Sequence, residues 1–125
     1  MRILVVDDQV DFLPLVSSWL RMLRGIVAVE VSASPTEALA LLDDLKPDLV
    51  ITDLNMPEMN GLELTRRVKA RPTPPLVVVM TALPLQRYED QAREAGADYF
   101  LEKSRLHKAL PQFLTERFGV GAAPV

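Results

Sequence analysis

Five short, largely apolar runs, each followed by a stretch with helical spacing, constrain this chain more than any other feature. The runs cover residues 2–6, 27–31, 49–52, 76–80 and 98–101. Brief apolar segments bounded by turn residues suit strands buried on both faces. Amphipathic segments lie between them. This alternation predicts an α/β fold, a doubly wound five-stranded parallel sheet with five helices, because a return to a parallel strand needs a crossover. The 125 residues suit one domain, expected over 1–118, with a flexible tail over 119–125.

Local chemistry sets the helix boundaries. Asp11 is a plausible cap for the first helix, and Pro14 is tolerated only within its first turn. Phe12, Leu15, Trp19 and Met22 fall on one line of that helix, with Leu13, Val16, Leu20 and Leu23 beside it. This stripe is wider than packing on one sheet requires. Phe12 and Leu13 are therefore expected to dock a partner, with Leu13 as the exposed member. Ser34-Pro35-Thr36-Glu37 is a capping box with Pro at the first helical position. A third helix is predicted over 61–71 with Leu62, Thr65 and Val68 inward. The fourth ends at Gly96, and the last spans 105–117 with Pro111 inside it.

A formal net charge of −3 gives no general attraction to nucleic acid. Without cysteine there is no disulfide framework and no thiolate metal site, in agreement with a cytoplasmic protein. No apolar run approaches the ~20 residues of a membrane-spanning helix, so no membrane association is expected.

Right-handed crossovers bring the C-terminal ends of all five strands to one edge of the sheet. Asp7, Asp8, Asp53, Thr81 and Lys103 each fall at such an end. Converging carboxylates repel one another and call for protons or a cation. Hard oxygen ligands, few in number and supplemented by water, suit Mg²⁺. A carboxylate, a lysine and a hydroxyl beside Mg²⁺ fit phosphoryl transfer, with Asp as a possible covalent nucleophile. His107, the one histidine, is expected at the surface of the last helix.

Over essentially its full length the chain resembles the receiver domain of two-component response regulators. The matching residues are Asp7-Asp8, Asp53 with Asn55-Met56-Pro57 and Gly61, Thr81-Ala82, Gly96-Ala97 and Lys103. The resemblance implies a flavodoxin-like strand order, 2-1-3-4-5, which is carried over from the family. It implies that Asp53 accepts a phosphoryl group from a histidine of a kinase or phosphotransfer protein. Asp8, Asp53 and the Asn55 carbonyl would hold Mg²⁺, with Asp7 acting through water. Lys103 would pair with Asp53 and then with a phosphoryl oxygen. Thr81 would close on the phosphoryl group while Phe100 turns inward, switching the face of the fourth helix, fifth strand and fifth helix. That face would meet a downstream protein or a second copy.

Two positions depart from the family pattern. Ser104 stands where a proline commonly follows the lysine, and the switch aromatic is Phe100, which has no hydroxyl to offer. Asn55 and Leu83 would flank the water that hydrolyses the phosphorylated state, and Leu83 offers that water no hydrogen bond. Slow self-dephosphorylation is expected. The chain is read as a signalling domain that catalyses only its own phosphorylation and dephosphorylation. An aspartyl-phosphate phosphatase is the alternative, but Asn55 stands where such enzymes usually carry a second acid. No Gly-rich turn follows the first strand to support nucleotide binding. With no DNA-binding helix pair after residue 118, a stand-alone receiver is expected, and a domain excised from a longer regulator is the alternative.

Overall fold

A computed structural model describes residues 1–82 and 84–119. Its strands are β1 (Arg2–Val6), β2 (Ala28–Ser32), β3 (Leu49–Asp53), β4 (Leu76–Thr81) and β5 (Tyr99–Glu102). The helices are α1 (Phe12–Arg21), α2 (Pro35–Leu45), α3 (Gly61–Lys69), α4 (Glu89–Ala95) and α5 (Leu106–Phe118). All pairings are parallel, in the order β2-β1-β3-β4-β5. This is the doubly wound, flavodoxin-like sheet that the alternation and the resemblance imply.

Alternate residues of the central strands feed two separate cores. Ile3, Val5, Leu49, Ile51, Val78 and Met80 pack beneath α1 and α5. On the opposite face Leu4, Val6, Val50, Val77 and Val79 pack beneath α2 and α3. Every residue of β3 is buried, as a strand covered on both faces requires. Tyr99 and Phe100 illustrate the alternation at the sheet edge. Tyr99 stacks on Phe113 with ring centroids 4.8 Å apart, whereas Phe100 packs against the other core.

Several boundaries move from their expected places. β2 and β5 each lie one residue later, and α3 ends at Lys69 rather than 71. Asp11 stands at the N-cap of α1 but makes no capping hydrogen bond. Ser34 does cap α2, accepting from the Glu37 N–H at 3.1 Å, and Asn60 caps α3 in the same way at 2.9 Å. α4 is short, preceded by a single 3₁₀ turn at Leu85–Arg87, and Tyr88 at its N-cap makes no side-chain capping bond. In α3 it is Leu64, not Leu62, that is fully buried with Thr65 and Val68.

The expectation for Leu13 is overturned. It is 6% exposed, inside the core beneath α1 with Val16, Leu20 and Leu23. The sheet takes that line of the helix. The neighbouring line is left outward, with Leu15 72% and Met22 61% exposed and Phe12 and Trp19 half-buried between them.

Candidate functional site

The site forms because the strands, all parallel, end together at one edge of the sheet. β1 pairs with β3, and β3 with β4, in registers that place Val6 beside Thr52 and Asp53 beside Met80. Asp7 and Asp8 therefore leave the sheet next to Asp53, and carboxylate oxygens of all three lie within 4.8 Å of one another. Thr81, at the end of β4, is buried. Lys103 follows β5 directly. All five expected residues meet at this edge.

Asp7 is completely buried. Its Oδ1 accepts from the Gln9 N–H at 2.9 Å, and its Oδ2 forms an ion pair with Lys103 Nζ at 2.5 Å. The Lys103 ammonium also donates to Gln9 Oε1 and lies 4.2 Å from the centre of the Phe12 ring. The expected pairing of Lys103 with Asp53 differs from this arrangement. Among the described residues the ammonium makes no ion pair with Asp53. The physical reason is the burial of Asp7: a carboxylate with no contact to water gains most from the nearest cation.

Asp53 is buried at the end of β3, and its carboxyl is pushed up from 3.8 to about 6. Desolvation is the main cause and the Asp7 charge adds to it, while the Lys103 charge and the Leu54 N–H oppose it. Between about pH 4 and pH 6 the folded chain thus holds a proton on Asp53 that the unfolded chain has already released. Stability from this group is full below about pH 4 and is lost as pH rises through about 6. Asp53→Asn removes the dependence. In the presence of a chelator, denaturant midpoints of parent and variant should diverge across that window, the variant gaining about 1–3 kcal/mol by neutral pH. A constant gap from acid to neutral pH would contradict the assignment.

The loop from β3 to α3 holds the site from below. The Gly61 N–H donates to Leu54 O at 2.7 Å, and Thr65 Oγ1, one turn further into α3, donates to Gly61 O at 2.7 Å. Asn55 is exposed at the start of this loop, and Met56 is buried under it. Leu83 lies outside the described residues. After β5, Lys103–Arg105 forms a 3₁₀ turn with no cis peptide bond, so Ser104 is accommodated in an ordinary trans connection. Beside the acidic cluster a cleft of about 650 Å³ opens between Phe12, Thr81, Ala82, Pro84, Glu102, Lys103 and Ser104.

Gln9 was not legible as a site residue by strand-end reasoning, and Phe12 was expected at a docking surface rather than against Lys103. Asp8 Oδ1 is buried without a hydrogen-bond partner. A buried carboxylate oxygen left bare beside two more acids is suited to a cation. No helix among the described residues is long and apolar enough to cross a membrane.

Comparison with known proteins gives a consistent result. A family model described as the response regulator receiver domain matches residues 3–114. A protein-glutamate methylesterase/protein-glutamine glutaminase of Desulfotalea psychrophila is 37% identical over 105 residues, covering 82% of this chain and 29% of the relative. A LuxR-family two-component response regulator from Aurantimonas superposes with a TM-score of 0.81 at 27% identity, over 93% of this chain and 86% of the other. A Burkholderia pseudomallei response regulator, whose structure contains a phosphorylated aspartic acid, a calcium ion and citrate, gives a TM-score of 0.75 at 26% identity, over 91% and 64%. The chain spans about a third to a half of the length of the curated relatives it matches.

Proposed function

The chain belongs to the response regulator receiver family, and from that membership we propose that Asp53 is its phosphoacceptor, charged by a histidine of a partner protein with the help of Mg²⁺. The observation that carries this reading is the convergence of Asp7, Asp8 and Asp53 with Lys103 and Thr81 beside an open cleft. The phosphorylated aspartic acid of the Burkholderia relative supports it.

Asp8, Asp53 and the Asn55 carbonyl would hold Mg²⁺ directly, with Asp7 acting through water. The bare, buried Asp8 Oδ1 and the crowding of three acids suit such an ion. When bound, Mg²⁺ neutralises charge on the carboxylates and on the phosphoryl oxygens. An oxygen of Asp53 then attacks phosphorus as the phosphorus–nitrogen bond to the donor histidine breaks. That attack needs the ionised carboxylate, so the tendency of Asp53 to keep its proton is relieved by the same neutralisation. Lys103 leaves Asp7 for a phosphoryl oxygen, and Thr81 donates its hydroxyl. Phe100, which is half-buried against the α2–α3 core, packs further in and alters the face formed by α4, β5 and α5. A downstream protein or a second copy would read that face.

The donor, a histidine kinase or phosphotransfer protein, docks on the outward line of α1, where Leu15 takes the role first expected of Leu13. Intact-mass measurement after incubation with a small phosphodonor tests the reading. One phosphoryl group per chain is expected with Mg²⁺, and essentially none with a chelator. Leu15→Asp should leave this labelling intact while slowing transfer from a donor protein. Labelling that ignores Mg²⁺ would contradict the proposal.

A further inference from the structure

Lys103 is held by more than its charge partner. Its side chain is 11% exposed and its ammonium touches three groups: Asp7 Oδ2, Gln9 Oε1 and the face of the Phe12 ring at 4.2 Å. Two of these are uncharged and come from the loop and first turn after β1, not from the acidic cluster. A carboxylate alone would bind the lysine wherever it reached. The amide and the ring instead select one position, over Asp7, because a ring face attracts a cation only across a short distance.

We infer that Gln9 and Phe12 are positioning residues that park Lys103 on Asp7 and so oppose entry of a divalent cation into the acidic cluster. The inference rests on the reading that Asp8 and Asp53 bind Mg²⁺. A lysine seated on Asp7 cancels part of the negative charge that would attract the ion. Removing either neutral contact makes the lysine easier to displace, and Mg²⁺ then binds more tightly. Phe12 has a second connection, since it also belongs to the outward apolar line of α1 with Leu15, Trp19 and Met22.

Calorimetric titration with Mg²⁺ alone tests this without recourse to phosphorylation. Gln9→Ala and Phe12→Leu should each lower the dissociation constant about two- to fivefold, the effect of losing one weak cation–π contact or one hydrogen bond to a solvent-accessible amide. Phe12→Tyr, which restores a ring face, should return the parent value. In a Lys103→Met background neither substitution should matter, because the contact being removed no longer has a partner. Gln9 is exposed, so Gln9→Ala tests the idea even if changes at Phe12 disturb the fold. Unchanged affinity in both single variants, or equal shifts with and without Lys103, would overturn the parking role. A parent chain that binds no Mg²⁺ would overturn the metal reading beneath it, a separate and recognisable result.

Discussion

Gly61→Ala is expected to destabilise the protein by about 2–4 kcal/mol, a loss normally seen only for badly placed core substitutions. Gly61 opens α3 immediately beneath the site. A Cβ built there would overlap the Asp53 carbonyl oxygen and would come within 3.0 Å of Asp53 C and Leu54 Cα. These are backbone atoms of a fully buried strand and its exit, so they cannot rotate aside as a flexible side chain could. Left-handed backbone is not the issue, since Gly61 is not among the residues with positive φ. Close approach alone requires glycine. The Gly61 N–H bond to Leu54 O would be strained as well, and Asp53 would be displaced with the loop. Denaturant unfolding of parent and variant measures the effect. A change under about 0.5 kcal/mol, the usual range for harmless surface substitutions, would contradict it.

The fold was largely legible because the strand signal is strong. β1, β3 and β4 are short, β-branched and buried on both faces, a pattern that few other structures accommodate. Strand order was not readable from these residues and came from the family resemblance. At the site, Asp7, Asp8, Asp53, Thr81 and Lys103 could be found because position at a strand end follows from the chain alone. What the strand ends cannot specify is which partner a long side chain will choose. Lys103 has several carboxylates within reach, and burial of Asp7 together with Gln9 and Phe12 decides the outcome. The error at Leu13 has a related origin. Two adjacent apolar lines on α1 look alike in sequence, and only the orientation of the helix on the sheet separates Leu13, in the core, from Leu15, in solvent.

Replacing the proposed phosphoacceptor should have an all-or-none effect. Asp53→Ala is expected to reduce labelling by a small phosphodonor below detection, because the nucleophile itself is removed. Asp7 does not provide a ready substitute. Asp7 is completely buried beneath the Lys103 ammonium. Asp53 ends the central strand and lies within carboxylate reach of the other two acids. Aspartyl phosphate is an acyl phosphate, which borohydride reduces to an alcohol, whereas a phosphate ester on Thr81 survives the same treatment. Peptide mass mapping of labelled, reduced protein therefore locates the phosphoryl group chemically. Reduction confined to the side chain of Asp53 is the predicted result. Reduction at Asp7 or Asp8, or a phosphate that remains on Thr81, would contradict the assignment of Asp53.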